Sequence, residues 1–368
     1  MSAAFCWPTF HWHMPVDLRF GAGCSDELGA ALGTRNAVVL AFEPAQALGL
    51  QMRWQAALGK QLLGWEPVAD GLSSITRARA LAHRLWPLMA PDTVLIAVGG
   101  GTTLDLAKVL RCRPVSAIFD DVVAALRGTA PWPDMNRAPL WLLPTTAGTG
   151  SEVTRWATVW DTEHEPPIKR SLDEPWGFAE RAFIDPTLTL SCPAAVTRDT
   201  ALDTLAHALE AIWNRHANPV SDRLAVNSAR RVLRHLPGVL AQPGKLALRN
   251  ELSLAALEAG LAFSQTHTAL AHALSYDVTL QLGVPHGLAC ALWLPTAWHL
   301  AQGRDARVDA MLGEVFNAPA ADGAGHLQSW LQGLGVEVNP AALGIEDADQ
   351  RVQAALTSVR GRNFIGAD

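Results

Sequence analysis

One carboxylate and three imidazoles, Asp203, His207, His272 and His286, are the residues whose types and spacing carry chemistry in this chain. Asp203 and His207 lie four apart in DTLAHALEA, a run of helix formers, so about one helical turn brings both side chains to one face. His272 and His286 stand fourteen apart in HALSYDVTLQLGVPHG. On one straight helix they would be separated by roughly 21 Å, at about 1.5 Å per residue. Gly283 and Pro285 break that helix, so the chain can double back and set His286 beside His272.

Such a donor set leaves a divalent ion with a net charge of about +1 and an open position for a substrate oxygen. A site of that kind polarises a carbonyl or stabilises an alkoxide. With no thiolate in the set, copper(I) and iron–sulfur chemistry are disfavoured, while Fe²⁺, Zn²⁺ and Co²⁺ remain open. On spacing alone the alternative also stands: polar residues scattered through a helical region. His11, His13, His83, His164, His235, His299 and His326 lack comparable partners and read as surface or packing residues.

Two loops suggest a second ligand. AVGGGTTLDLAK places Gly99, Gly100 and Gly101 between a buried strand and a helix, where bare backbone approaches a phosphate and the helix start offers unpaired N–H groups. The spacing is not GxGxxG, and a tight strand-to-helix turn would also account for it. LPTTAGTGSEVT again follows a strand and supplies Thr145, Thr146, Gly148, Thr149, Gly150 and Ser151. Two such loops at the ends of parallel strands favour a dinucleotide over a purely structural role.

These residues need a scaffold of two parts. The 368 residues suggest about two domains, and 49% hydrophobic against 17% charged content is that of a packed globular chain. NAVVLAF, DTVLIAVGGG and PLWLLPTT are short apolar runs separated by helical segments, the pattern of a parallel sheet covered on both faces. From about Thr197 onward long Ala/Leu-rich helical segments replace it. The expected division is an α/β, Rossmann-like parallel-sheet domain over 1–190 and an all-helical domain over 191–368, with the active site in the cleft between them.

A net charge of −6 without basic runs argues against nucleic-acid or membrane partners, and no apolar run is long enough to span a bilayer. Cys6, Cys24, Cys112, Cys192 and Cys290 are dispersed, which fits free thiols in a reducing compartment. The start of the chain lacks the pattern of a signal peptide, and the expected setting is the cytoplasm.

Taken together, GGGTTLDLAK, PTTAGTGSEVT, DTLAHALEA and HALSYDVTLQLGVPHG resemble the iron-containing (group III) alcohol dehydrogenases, over roughly residues 15 to 300. The resemblance implies the dehydroquinate synthase-like fold of that family, an NAD(P)-linked oxidoreductase activity, one divalent metal, Fe²⁺ or Zn²⁺, and a homo-oligomer such as a dimer. By the match, Asp203, His207, His272 and His286 fall on the metal ligands. Gly100, Gly101, Thr102 and Asp105 fall on the first phosphate loop, and Thr145, Thr146 and Thr149 on the second. Lys169 resembles a lysine near the cofactor. Where many members carry a histidine four residues after the third ligand, this chain has Tyr276, its only tyrosine, which can relay a proton or simply pack. Phe42 replaces an aspartate common in NAD-preferring members. Glu43 can stand in for it, which favours NAD while leaving NADP open.

EAIWNRHANPVSD and HTALAHALSYDVTLQLGVPHG most resemble the branch of the family in phosphonate metabolism, implying interconversion of phosphonoacetaldehyde and 2-hydroxyethylphosphonate. A phosphonate needs cationic donors, for which Arg155, Lys169, Arg170, Arg215, His216 and His267 are candidates. Tyr276 and His267 are the candidate catalytic residues. The competing readings are a general short-chain or diol alcohol dehydrogenase, a dehydroquinate synthase-like lyase, and a silent protein that binds metal and nucleotide.

Overall fold

A computed structural model describes residues 7–367. They form two compact units. One comprises Pro15–Thr146 and Ser151–Thr189; the other comprises Leu190 onward, the short stretch Ala147–Gly150 and the N-terminal residues through Met14.

The first unit is built on a six-stranded sheet. Its order across the sheet is Asp17–Phe20, Arg181–Ile184, Leu140–Pro144, Val94–Gly99, Ala37–Phe42 and Leu62–Val68, and every neighbouring pair is parallel. Ala37–Ala41, Val94–Gly99 and Leu140–Pro144 are wholly buried, as expected of central strands with helices on both faces. On one face Val39, Ile96, Trp141 and Phe183 join Trp54 in a single apolar cluster. The edge strand Leu62–Val68 was not anticipated: LLGWEPV carries Gly64 and Pro67, tolerated where one side of the ladder is unpaired. An antiparallel hairpin, Trp156–Asp161 with Ile168–Asp173, adds a second element outside the expected alternation.

The second unit is helical. Ala194–Ile212, Pro219–Ala241 and Leu246–Thr266 pack on one another, followed by Leu270–Leu282 and His286–Ala301. Ala194–Ile212 is buried on every side from Ala201 to Ile212, because Ala201, Ala206, Ala208 and Ala211 let neighbouring helices approach closely. Such burial is what allows a carboxylate and an imidazole on this helix to be shielded from water.

Four of the five cysteines lie in the described residues, and Cys24, Cys112, Cys192 and Cys290 are all free thiols there; Cys6 falls outside them. Among the described residues, no helix is long and apolar enough to cross a membrane.

Candidate metal centre

The helical unit gathers the predicted donors around one oxygen. Asp203 Oδ1 lies 3.3 Å from His272 Nε2, and 3.8 Å from both His207 Nε2 and His286 Nε2. The Asp203 and His207 pair meets on one face of Ala194–Ile212. The break expected between His272 and His286 falls where Gly283, in the left-handed conformation, ends the helix Leu270–Leu282. Pro285 caps the next helix, and His286 is its first residue.

What lets that second helix come so close is Gly287. A Cβ built there would lie 1.7 Å from the Asp199 carbonyl oxygen and 3.1 Å from the Asp203 nitrogen. Only a residue without a side chain permits this backbone-to-backbone approach, which carries the neighbouring His286 to the carboxylate.

The donor atoms fit a cation. Separations of 3.3–3.8 Å match the edge of a coordination shell, roughly 3.4 Å for ligands about 2.1 Å from one centre. Asp203 Oδ1, His272 Nε2 and His207 Nδ1 are all buried without a hydrogen-bond partner. Three such orphans in one place are costly unless something else satisfies them, and an ion among Asp203 and the imidazoles satisfies the first two. Burial pushes the Asp203 carboxyl up, yet His207, His272 and His286 outweigh it and hold it well below the usual carboxylate range. Burial pulls His207 down to about 4, so its imidazole is neutral and available as a ligand at neutral pH. Its ring also stacks on Phe263, with centroids 4.0 Å apart, and on His272 at 4.5 Å.

Two further residues escaped the sequence reading. Glu210, fully buried, sets Oε2 2.7 Å from His272 Nδ1. It falls seven after Asp203 and three after His207, on the same helical face, a signal the spacing contained. Cys290, one turn after His286, corrects the expectation of a centre free of sulfur. Its Sγ belongs with donor atoms of Asp203, His272 and His286 that all lie within 4.8 Å of one another. Burial would raise that thiol, but His272 and His286 draw it down to about 6. For His272 burial works downward, and the charges of Cys290 and Glu210 with the nearby Asp203 carboxylate leave it raised well above its ordinary value.

Tyr276 lies parallel to His286, with ring centroids 6.1 Å apart and an interplanar angle of 1°. His267 ends the helix Leu246–Thr266 at φ 65°, a left-handed conformation rare for a side chain with Cβ, and its carbonyl accepts the Asn214 Nδ2 donor at 3.1 Å. Of the other cation candidates, Arg155 is paired with Asp173 and Arg170 with Asp161, so their charge is already answered. Arg215 donates its Nε–H to the Phe364 carbonyl. His216 donates its backbone N–H to Asn214.

In the sheet unit, Gly99 ends the strand Val94–Gly99, Gly100 caps the next helix, and Gly101 starts that helix, Gly101–Leu110. The Thr145 N–H donates to the Gly99 carbonyl at 3.0 Å, tying the two loops together, and Thr102 Oγ1 donates to the Gly71 carbonyl. Thr146 lies against Gly100. Asp105 is engaged internally: it accepts from Ser151 Oγ at 2.7 Å and from the Thr158 N–H at 2.8 Å, bracing the second loop. Lys169 sits in the hairpin opposite Trp160, where its charge reaches the Asp105 carboxylate. Thr149 belongs to Ala147–Gly150, the stretch grouped with the helical unit.

Comparison with known proteins agrees in both halves. Residues 15–186 match the family model described as iron-containing alcohol dehydrogenase, and residues 197–365 match its C-terminal counterpart, the Fe-containing alcohol dehydrogenase family. The chain is 35% identical over 221 residues to a 1-propanol dehydrogenase of Citrobacter freundii, covering 60% of this chain and 54% of that protein. To a 1,3-propanediol dehydrogenase of the same organism it is 29% identical, over 74% of this chain and 71% of that protein. Several of these alignments span only about half the length of the relative. An iron-containing alcohol dehydrogenase of Thermotoga maritima superposes with a TM-score of 0.77 at 25% identity, over 97% and 95% of the two chains. The sulfoacetaldehyde reductase of Bifidobacterium kashiwanohense in complex with NAD⁺ superposes with a TM-score of 0.87 over 97% and 95%, at 24% identity, a likeness of fold.

Proposed function

The chain belongs to the iron-containing alcohol dehydrogenase family, and from that premise we propose that it reduces a small aldehyde bearing an anionic head group, of the phosphonoacetaldehyde class. The observation that carries the enzymatic reading is Asp203 Oδ1, buried, without a hydrogen bond and ringed by three imidazoles at 3.3–3.8 Å. The substrate class rests on the resemblance of EAIWNRHANPVSD and HTALAHALSYDVTLQLGVPHG to the phosphonate branch.

When bound, NADH supplies the hydride and the divalent ion, Fe²⁺ or Zn²⁺, supplies Lewis acidity toward the aldehyde oxygen. Asp203, His207, His272 and His286 would hold the ion, and Glu210 would fix the orientation and tautomer of His272. The Gly100–Thr102 turn presents the helix start at Gly101 to the pyrophosphate, while Thr145, Thr146 and Thr149 offer hydroxyls and Lys169 a positive charge. Exposed Glu43, at the end of the strand beside that loop, suits a ribose hydroxyl and favours NAD over NADP. Tyr276, with His267 as the other candidate, would pass the proton to the forming alcohol. The free thiols suit a reducing compartment such as the cytoplasm, and the family resemblance suits a homodimer.

The test is NADH oxidation with phosphonoacetaldehyde, sulfoacetaldehyde and butyraldehyde, with Fe²⁺ or Zn²⁺ added. Faster turnover of an anionic aldehyde supports the proposal. Turnover of butyraldehyde alone would make the protein a general short-chain alcohol dehydrogenase instead.

A further inference from the structure

The C-terminal segment places a guanidinium against Tyr276, the ring that lies parallel to His286. Arg360 Nη1 donates to Thr268 Oγ1 at 2.7 Å, and its Cζ stands 5.4 Å from the centre of the Tyr276 ring. Arg360 and one of the imidazoles around Asp203 thus share the Tyr276 ring as a neighbour.

The segment is fixed in place. Asn363 Nδ2 donates to the Thr268 carbonyl at 2.8 Å, the Arg215 N–H to the Asn363 carbonyl at 2.8 Å, and Phe364 is wholly buried. The corner at His267, which precedes the helix of His272, is thereby pinned together with the tail that carries Arg360.

Several arginines of the helical unit are paired with carboxylates, Arg307 with Asp222, Arg231 with Glu251, Arg223 with Glu314 and Arg351 with Asp347, while others such as Arg215 and Arg249 spend their N–H groups on neighbouring carbonyl and hydroxyl oxygens. Arg360 has no carboxylate at ion-pair distance among the described residues, and a single side-chain hydrogen bond leaves most of its N–H donors available. A half-buried guanidinium with one face on an aromatic ring and a free edge is suited to two oxygens of a tetrahedral oxyanion.

We propose that Arg360 anchors the anionic head group of the substrate. This rests on reading Asp203, His207, His272 and His286 as the centre that receives the aldehyde. Thr268 orients the guanidinium, the Tyr276 ring supports its face, and the remaining donors bind phosphonate or sulfonate oxygens while the aldehyde end reaches toward the cluster. Neither the cation-rich motifs nor the ligand spacing points to this residue, because it lies 74 positions after His286.

The test uses the full-length, metal-loaded protein with NADH. Arg360→Gln keeps a donor for Thr268 and removes the charge. Its kcat/KM for phosphonoacetaldehyde and sulfoacetaldehyde is expected to fall by about 10-fold to 100-fold, mainly through KM, with butyraldehyde kept within about threefold. Arg360→Lys should recover only part of the loss, since an ammonium lacks the fork. If Arg360→Gln does not fold, the same ratio of anionic to neutral rates is read on Arg360→Lys: a fall supports the assignment and an unchanged ratio overturns it. Equal losses on all three aldehydes, or no loss on an anionic aldehyde that the unmodified enzyme does reduce, also overturn it. An unmodified enzyme that reduces butyraldehyde but neither anionic aldehyde rejects the anionic substrate and this assignment with it. One that reduces none of the three rejects the enzymatic reading itself.

Discussion

Glu210 holds His272 from behind: Oε2 lies 2.7 Å from the imidazole Nδ1, and the same carboxylate accepts the backbone N–H groups of Ala269 at 2.8 Å and His272 at 3.0 Å. Burial pushes this carboxyl up, but the charge of His272 and these hydrogen bonds bring it below the usual carboxylate range, so it is ionised. One acidic side chain thus orients the ring, leaves Nε2 free to face Asp203, and ties the start of the helix to its neighbour. Glu210→Gln keeps the shape and removes the charge. We expect affinity for Zn²⁺ to fall about 10-fold to 100-fold with the fold intact, read by competition against a chromogenic chelator. Unchanged affinity would show that His272 does not depend on Glu210.

The close approach at Gly287 makes a separate prediction. Gly287→Ala sets a methyl against the Asp199 carbonyl and forces the two helices apart. Stability should drop by about 1–3 kcal/mol or more in denaturant unfolding, and bound metal should be lost with it. Gly325→Ala is the control: a Cβ there meets nothing within 4 Å, so stability should hold or rise slightly.

The sheet unit has its own pH signature. Burial raises the Glu152 carboxyl to about 7, against an ordinary value of 4.5. The folded chain therefore keeps a proton that the unfolded chain has already released. Stability from this group is complete below pH 4.5 and is lost as pH rises through about 7. Glu152→Gln should flatten unfolding free energy across that window. An unchanged slope would remove Glu152 as its source.

Tyr276→Phe separates proton transfer from packing. The phenyl ring still lies against His286, so melting temperature and metal content should be preserved. If the hydroxyl passes the proton, kcat should fall by about 10²-fold and the pH–rate profile should lose one limb. A variant with normal kcat and profile assigns the ring to packing and leaves His267 as the donor.

Legibility in the sequence follows the physics of each part. AVVLAF, VLIAVG and LWLLP stand out because strands buried on both faces must be apolar throughout. LLGWEPV does not, because an edge strand tolerates Gly64, Glu66 and Pro67. The meeting of His272 with His286 was readable from Gly283 and Pro285, since a helix stop is a local property. Glu210 was readable in principle from its i, i+7 relation to Asp203, but a lone glutamate in an Ala-rich helix resembles a solvated one until its neighbours are known. Gly287 and Arg360 were not readable. Their roles come from what the fold brings to them: the Asp199 carbonyl in one case, Thr268 and Tyr276 in the other.

The central claim is that Asp203, His207, His272 and His286 hold one ion on which aldehyde reduction depends. Metal content and NADH oxidation measured on the same sample, before chelation, after it and after readdition of Fe²⁺ or Zn²⁺, test it most directly, with His272→Ala alongside. The account predicts about one equivalent of metal per chain, activity that leaves and returns with it, and a His272→Ala protein that neither holds metal nor turns over. Full activity in the chelated protein, or in His272→Ala stripped of metal, would contradict it.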